Sequence, residues 1–188
     1  MNIKSVTIHA GHNKQGKVAC GASDYIDESK EARVITKAVK KKLILKGIKV
    51  KDCTENNGKS QSDVLNKIVK KCNAVSRDID ISIHFNANIH STKDGKTKGV
   101  EVYVYGNDAK SNQLYTLSKL ICTNISSIGF VNRGVKATKS LYFLRQTNRP
   151  ALLIEVCFVD DEDDAILYKK NKSKIVNAIV DAILYYKK

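Results

Sequence analysis

The chain has 188 residues, a length typical of a single domain. Hydrophobic residues make up 42% of it and charged residues 28%, which excludes a disordered chain, a collagen-like fibre and a disulfide-stapled miniprotein. Lys and Arg outnumber Asp and Glu by 33 to 19, a formal net charge of +14, so the chain is expected to meet an anionic partner: nucleic acid, an anionic membrane or a cell wall that carries acidic polymers.

Aromatic content, cysteine usage and the length of apolar runs further limit the possible partners and protein classes. Aromatic residues make up 6% of the chain and Trp is absent, which weakens the case for a surface that stacks nucleic-acid bases. The five cysteines form no CxxC pair, so we expect neither a disulfide framework nor a structural zinc ribbon. The apolar runs fall well short of the ~18 residues that a membrane span needs.

Strand-like and helix-like patterns alternate from the N-terminus onward. In the first half, apolar residues recur at helical spacing in two segments, and Gly47 follows the first of them as a C-terminal cap would. The predicted elements are a strand over Ser5–His9, a helix over Glu28–Lys46, a strand over Ile48–Asp52, a helix over Ser60–Ser76 and a strand over Asp78–His84.

The second half continues the alternation. Its predicted elements are a strand over Val100–Val104, a helix over Asp108–Ile128, a short strand over Leu141–Leu144, a buried strand over Ala151–Val159, a loop and first helical turn over Asp160–Asp164, and a C-terminal helix that includes Ile175–Tyr186. We therefore predict a single α/β domain over residues 1–188, with a mostly parallel, twisted sheet of about six strands and helices on both faces.

Polar residues stand where ligands gather in such folds, beyond the carboxyl ends of the strands. His12 follows the first strand, and His84 ends the strand before the midpoint of the chain. Glu28 lies on the inward face of its helix, in the first turn, where the helix dipole favours a carboxylate. Two imidazoles and a carboxylate form a ligand set that zinc uses in hydrolytic enzymes. Glu155, inside the late apolar strand, could take a proton from a water beside that metal.

Simpler explanations exist for each of these residues. For His12 and His84, spacing alone leaves metal ligands and ordinary polar strand-end residues about equally favoured, since the chain has no compact HExxH motif. Glu28 could be no more than a carboxylate in the first helical turn that interacts favourably with the helix dipole. Glu155 is harder to explain without a function, because an ionised carboxylate in an apolar strand is costly unless it is paired.

Three further candidates are weaker. His9 stands close to His12 and could be a fourth ligand, but a strand-end residue that binds no metal is favoured. Cys157 lies inside an apolar run, which is typical of packing rather than of a catalytic Cys–His pair. The acidic run Asp160–Asp164 lacks the spacing and the glycine of an EF-hand, so a solvated helix start is favoured over a calcium site.

Five motifs in a fixed order carry a resemblance to a known family. They are Ala10-Gly11-His12, Glu28 nineteen residues before Gly47, Ser82-Ile83-His84-Phe85-Asn86-Ala87, Gly99-Val100-Glu101-Val102, and Pro150-Ala151-Leu152-Leu153-Ile154-Glu155. Each motif is weak by itself, but their order and spacing together are specific and cover nearly the whole chain. The sequence resembles the zinc-dependent N-acetylmuramoyl-L-alanine amidases of the amidase-3 family, and in particular the catalytic domains of clostridial phage endolysins.

The resemblance implies a reaction and a role for each matching residue. Members of this family hold zinc through residues that match His12, Glu28 and His84, and they use as catalytic acid/base the glutamate that matches Glu155. The expected reaction is hydrolysis of the amide between N-acetylmuramic acid and L-alanine in bacterial peptidoglycan. The family often has Asp at the position of His9, so no role is carried over to it. The sequence also differs from many endolysins in showing no match to the wall-binding domain that they carry after the catalytic domain.

Substrate contacts and partners complete these expectations. Asn86 and Arg133 are predicted to line the substrate groove. Peptidoglycan is the expected partner, together with anionic wall polymers bound by the stretch Lys30–Lys51, which has nine Lys or Arg and a single acid, Glu31. We expect a monomer that binds no nucleic acid and has no membrane span.

Delivery and alternative functions follow from the same features. The N-terminus enters a strand-like segment without a signal peptide, which favours synthesis in the cytoplasm and release through a holin pore, unless a leader has been removed.

A zinc peptidase that cuts the peptidoglycan stem peptide remains an alternative function, because the same metal chemistry serves any amide. A non-enzymatic basic module that binds polyanions also stays open, although it leaves the His and Glu residues unexplained.

Overall fold

A computed structural model describes residues 1–106 and 113–187 of the chain. Within these ranges six strands and five helices alternate. They are β1 (Ser5–Ala10), α1 (Glu28–Leu45), β2 (Lys49–Asp52), α2 (Gln61–Asn73), β3 (Ile79–Asn86), β4 (Val100–Tyr105), α3 (Gln113–Ser126), β5 (Asn132–Thr138), α4 (Tyr142–Gln146), β6 (Ala151–Phe158) and α5 (Glu162–Leu184).

The strands form one sheet in the order β2-β1-β3-β6-β4-β5. All neighbouring strands run parallel except β4 and β6, which are antiparallel. This confirms the predicted α/β class with a mostly parallel, six-stranded sheet. In the register of the three central strands, His84 lies opposite Glu155, and Glu155 lies opposite Glu101. Three ionisable side chains are therefore aligned across β3, β6 and β4.

Helices cover both faces of the sheet, as predicted. Helices α1, α3 and α5 pack together on one face, over strand residues such as Ile8, Ile81 and Ile154. On the other face, α2 and α4 form a smaller apolar cluster that includes Ile68, Phe143 and Leu153. No described helix is both long and apolar enough to cross a bilayer.

Polar caps explain where the helices begin. Asp27 accepts a hydrogen bond from the backbone N of Lys30 at 2.8 Å at the start of α1, and Ser60 accepts one from Asp63 at 3.1 Å at the start of α2. Asp161 caps α5 in the same way. Such caps satisfy backbone donors that have no partner in the first turn. The acidic run is therefore a helix start, as predicted, but the expectation that it is solvated is wrong, because Asp160, Asp161 and Asp164 are buried and accept hydrogen bonds from backbone N–H groups.

Two elements differ from the sequence predictions. The predicted strand over Leu141–Leu144 is wrong, because this segment begins α4: the backbone N of Arg145 bonds to the Leu141 carbonyl. Phe143 and Leu144 are buried in the cluster below α2, and four apolar residues are too few to show a helical period. Strand β5 was not predicted, because this edge strand is polar and has no fully buried residue.

The predicted helix over Asp108–Ile128 is found only in part. Its described portion is α3, Gln113–Ser126, while residues 107–112 lie outside the described ranges. The C-terminal helix is longer than the predicted Ile175–Tyr186, since α5 begins at Glu162 and continues past non-helical backbone at Asn171. The apolar residues of its first half form one continuous run, residues 165–168, so no helical period reveals it.

Candidate functional site

Three residues that the sequence singled out converge at one edge of the sheet. The Oε1 atom of Glu28 lies 3.1 Å from Nε2 of His12 and 3.0 Å from Nδ1 of His84. One side-chain donor atom from each residue lies within 4.8 Å of the others. Glu28 also accepts hydrogen bonds from the backbone N of Ala22 at 3.0 Å and of Phe85 at 3.1 Å. The structure therefore brings the predicted ligands together.

Local backbone geometry makes room for this cluster. Glu28 is the first residue of α1, and His12 leaves β1 with a φ of 62°, a left-handed conformation that is unusual for a residue with a Cβ. A Cβ on Gly11 would stand 2.0 Å from the His84 ring, and one on Gly21 would stand 2.4 Å from a Glu28 oxygen. Glycine at these two positions lets the backbone approach the side chains closely.

The electrostatics of the cluster suit a metal. Burial tends to raise the pKa of Glu28, but hydrogen bonds with His12 and His84 outweigh it and hold the pKa well below its usual range. Burial lowers the pKa of His84, against the opposing effect of Glu28. The carboxylate is thus ionised and the His84 imidazole neutral near pH 7, which are the forms in which these groups bind metals.

Glu155 lies next to this cluster in a different environment. It lies opposite His84 on β6, and within the described chain its Oε2 atom is buried without a hydrogen-bond partner. Burial raises its pKa well above the usual range, and the charges of Glu28 and Glu101 raise it further. A buried carboxyl group with a strongly shifted pKa is typical of a residue that exchanges protons in a reaction.

A cavity of about 350 Å³ opens between these residues and the α2–α4 side of the molecule. His12, His84 and Glu155 contribute the polar part of its lining. The apolar part of the lining includes Val64, Leu65, Ile68, Leu141, Phe143 and Leu153. A concave site with a few convergent polar groups and an apolar wall is typical of a small-molecule or substrate pocket.

Asn86 and Arg133, the predicted substrate residues, lie beside this cavity and not in its lining. Both contact Glu101, a buried residue that we did not predict as part of the site: Asn86 Nδ2 donates to Oε1 at 2.7 Å, and Arg133 Nε donates to Oε2 at 2.8 Å. Tyr103 and Lys136 donate to the same carboxylate. Because Glu101 alternates with valines, its pattern indicates an ordinary solvent-facing position.

His9 lines the cavity but lies outside the three-residue cluster. Its ring packs edge-on against Phe143 with the centroids 4.5 Å apart, and its Nδ1 lies 3.1 Å from the Ala10 carbonyl oxygen. Burial, assisted by the charges of His84 and His12, lowers its pKa to about 3. The ring is therefore packed against Phe143 and bonded at Nδ1, and its role stays a prediction.

The carboxylates at the start of α5 hold the loop between β3 and β4. Asp160 accepts hydrogen bonds from the backbone N of Asn88 and Ile89, and Asp164 accepts them from Gly99 and Phe158. Asp163 likewise accepts from the backbone N of two loop residues, 94 and 95. Among the described residues, His12, Glu28 and His84 are the only group of three or more His, Cys, Asp or Glu side chains arranged closely enough to hold a metal ion.

Comparison with known proteins assigns the family. The model of the N-acetylmuramoyl-L-alanine amidase family Amidase_3 matches residues 6–185. The chain belongs to this family. It is 32% identical over 176 residues to an uncharacterized protein of Clostridium perfringens, covering 93% of this chain and 50% of that protein. It is 34% identical over 175 residues to the endolysin of Bacillus phage SPP1, covering 89% and 59% of the two chains.

A solved structure supports the same family. The catalytic domain of the CD27L endolysin, described as targeting Clostridia Difficile, superposes with a TM-score of 0.83 at 25% identity, over 98% of this chain and 99% of that one. The resemblance to this amidase family is thereby confirmed. The chain spans about half the length of two curated relatives from Clostridium perfringens that it matches, 50% of one and 49% of the other. The family match includes all four of the residues considered above as ligands or acid/base.

Proposed function

We propose that this amidase-family chain is a zinc-dependent hydrolase that cleaves the amide between N-acetylmuramic acid and L-alanine in bacterial peptidoglycan. The observation that carries the proposal is the meeting of His12, Glu28 and His84 beside Glu155, whose buried Oε2 lacks a hydrogen-bond partner in the described chain. An N-acetylmuramoyl-L-alanine amidase family match over residues 6–185 supports the choice of substrate.

The donor set fits zinc. Two imidazole nitrogens and one carboxylate oxygen are a common protein ligand set at catalytic zinc, which keeps its fourth position open. A bound zinc ion would supply Lewis acidity, which polarises an amide carbonyl and lowers the pKa of water toward ~7. The backbone N of Ala22 and of Phe85 orient the Glu28 carboxylate, as outer hydrogen bonds commonly orient metal ligands.

Glu155 would move the proton in this reaction. As the attacking water adds to the amide carbonyl carbon, Glu155 accepts a proton from the water oxygen. It then returns that proton to the alanine nitrogen as the carbon–nitrogen bond breaks, so that a free amine leaves. Burial and the charges of Glu28 and Glu101 raise its pKa, which favours uptake of the proton from the water, and the carboxyl group so formed can then act as the acid in the second step.

The metal assignment is tested by metal analysis of single variants. His12→Ala, Glu28→Ala and His84→Ala should each bind zinc far more weakly than the wild type, because each removes one of three ligands. His90→Ala is the matched control, since His90 is exposed and pairs with Asp24. Full zinc retention in all three ligand variants would contradict the assignment.

The role of Glu155 is tested by Glu155→Gln. Glutamine keeps the shape of the side chain but cannot accept the proton, so we expect a folded, zinc-loaded protein whose turnover falls by at least ~100-fold. Glu162→Gln, at the start of α5, is the control and should keep its activity. Near-normal turnover by zinc-loaded Glu155→Gln would exclude Glu155 as the general base.

Mass analysis of digested peptidoglycan decides the bond that is cut. Amidase action releases stem peptides with a free N-terminal L-alanine and leaves the lactyl carboxylate on the glycan. A zinc peptidase would instead shorten the stem peptide and leave alanine attached. A polyanion-binding module would release no fragment at all. Only the first product pattern agrees with the proposed function.

A further inference from the structure

Two cations share one buried carboxylate beside the candidate site. Glu101 is 1% exposed, and its Oε2 lies 2.8 Å from Arg133 Nε and 2.5 Å from Lys136 Nζ. Its other oxygen accepts from Asn86 and Tyr103. One carboxylate neutralises one cation, so this group has a surplus positive charge. The side chains of Arg133 and Lys136 are 33% and 40% exposed, which leaves that charge accessible to solvent.

The surplus charge lies at a defined distance from Glu155. Glu101 is the direct neighbour of Glu155 across β4 and β6, and β5 is the next strand. Neighbouring strands are ~4.8 Å apart, so β5 lies ~10 Å from the backbone of Glu155. Since Arg133 and Lys136 both reach Glu101, their charged groups lie on the same face of the sheet as Glu155.

Arg133 is held in a geometry that suits a carboxylate. Its guanidinium stacks over the ring of Phe158, 4.9 Å from the centroid, while its Nε is bound to Glu101. Its Nη1 lies 3.5 Å from the Lys98 carbonyl oxygen, and among the described residues Nη2 has no hydrogen-bond partner. The guanidinium is thus oriented while part of its donor edge remains available. A planar donor edge of this kind matches the two oxygens of a carboxylate.

We propose that Arg133 and Lys136 form a subsite for the free α-carboxylate of the second stem residue, the D-glutamate that follows the L-alanine. This inference rests on the proposed amidase function, because it assumes that the muramoyl–alanine bond lies at Glu155. The proposed subsite sets the direction in which the substrate lies: the peptide runs over β4 and β5, and the glycan lies toward β1 and β3. Glu101 is a positioning residue in this arrangement, since it holds both cations.

The chemistry and dimensions of the substrate agree with this orientation. The glycan beside the cut bond is uncharged while its lactyl group is in amide linkage, whereas the stem peptide carries carboxylates. Two residues of extended chain span at most ~7 Å, so the α-carboxylate of the second residue comes within reach of side chains that extend from a strand ~10 Å away. A cation pair at this distance therefore fits the peptide side of the substrate.

The test uses two soluble muramoyl peptides that differ only in the α-carboxyl group of the D-glutamate, which is free in one and amidated in the other. For the wild type we expect kcat/KM to be about tenfold higher for the free acid, mainly through KM, which corresponds to ~1.4 kcal/mol. Arg133→Gln and Lys136→Gln should each lower this ratio toward one by raising KM for the acid. Lys139→Gln, an exposed lysine just beyond β5, should keep the wild-type ratio.

The outcomes separate this inference from the proposed function. Equal kcat/KM values for the two peptides in the wild type would overturn the subsite, and so would an acid preference that survives in both variants. The wild-type comparison needs no substitution, so poor folding of Arg133→Gln cannot obscure it. Failure of the amidase proposal has a different signature, because whole walls would then yield no peptide with a free N-terminal alanine.

Discussion

Arg33 anchors the loop that carries His12. Its Nη2 atom donates to the carbonyl oxygens of His12 at 3.2 Å and Glu55 at 2.7 Å, while Nη1 donates to the Ser29 carbonyl at 2.9 Å and Nε donates to Asn56 at 2.9 Å. A residue in left-handed backbone, such as His12, keeps that conformation only where its surroundings hold it. The guanidinium connects the loop to helix α1, which carries Glu28.

We expect Arg33→Lys to weaken zinc binding by about tenfold, because a single ammonium group cannot reach the same acceptors on both sides. The zinc dissociation constant, measured by competition with a chelator of known affinity, checks this without any activity assay. Arg149→Lys, an exposed arginine, is the matched control and should bind zinc like the wild type. Equal affinities for all three proteins would contradict the anchoring role.

His9 makes folding stability depend on pH. Burial lowers the pKa of its imidazole to about 3, while a histidine in an unfolded chain titrates near pH ~6.5. Between these values the unfolded state holds more protons than the native state. The free energy of unfolding therefore rises with pH across this window, and the contribution of His9 is lost as the pH falls from 6.5 toward 3.

The variant His9→Gln should consequently lose stability less steeply than the wild type between pH 6.5 and 4. The difference in slope should approach roughly 1.4 kcal/mol per pH unit. Urea unfolding of metal-free protein at a series of pH values measures it, with His90→Gln as an exposed control. Parallel stability curves for the wild type and His9→Gln would show that His9 does not carry this dependence.

The predictability of individual site residues depended on their sequence context. Glu155 could be found because a carboxylate interrupts an otherwise apolar run, and Glu28 because its helical phase points inward. Glu101 could not, since alternation with valines is also the pattern of a half-exposed strand. Its importance comes from its position next to Glu155, which depends on β4 pairing antiparallel with β6. No local pattern encodes that strand order.

At the scale of elements, a buried ion pair joins the ends of α2, β3 and β6. Arg77 makes two hydrogen bonds to Asp80, at 2.8 and 2.7 Å, and the two side chains are 2% and 0% exposed. Arg77 also donates to Asn73 at the end of α2 and to Asn148 before β6. The guanidinium thus satisfies acceptors from three segments that meet at the edge of the sheet away from the candidate site.

Asp80→Asn should destabilise the protein by about 3–5 kcal/mol, because it leaves the Arg77 charge buried without its partner. The midpoint of urea unfolding measures this loss. Asp63→Asn is the control, since it breaks the more exposed pair with Lys67 on helix α2 and should move the midpoint little. Similar midpoints for the wild type and Asp80→Asn would mean that the buried pair contributes little.

The elements that sequence predicted best are those with long, regular patterns. Helix α1 and strands β3 and β6 have clear helical or apolar signatures and lie near their predicted bounds. Helix α4 was mistaken for a strand because its five residues are stabilised by burial of Phe143 and Leu144, not by their own periodicity. Strand β5 was missed because it pairs along one edge only and remains half exposed.

At the scale of the whole molecule, the net charge of +14 predicts a salt-sensitive attraction to anionic wall polymers. On helix α1, Lys37 and Lys41 are exposed, whereas Lys40 pairs with Asp52. The charge of this helix face is therefore only partly neutralised within the chain. Screening acts over ~8 Å at physiological salt, so contacts made by such lysines should weaken as salt rises.

We expect the double reversal Lys37→Glu, Lys41→Glu to reduce pelleting with whole walls at low salt, while turnover of a small soluble muropeptide stays unchanged. The reversal of Lys119 and Lys139, both exposed elsewhere, alters the net charge equally and should reduce pelleting less. If both double variants pellet alike, total charge governs binding. Pelleting that is insensitive to salt and to both reversals would mean that this charge plays no part in wall binding.

The loop between β3 and β4 has a consequence for how this family diversifies. It is tied to helix α5 through its own backbone amides, which donate to Asp160, Asp163 and Asp164. Every residue except proline has such an amide, so substitutions leave these attachments in place at loop positions other than Gly95 and Gly99, which have positive φ. Most of its side chains can therefore vary without loss of the attachment, whereas a Cβ at Gly99 would stand 1.9 Å from the Val131 carbonyl oxygen. Substitution of Asp160, which precedes α5, or of Asp163 or Asp164 in its first turn would release the loop.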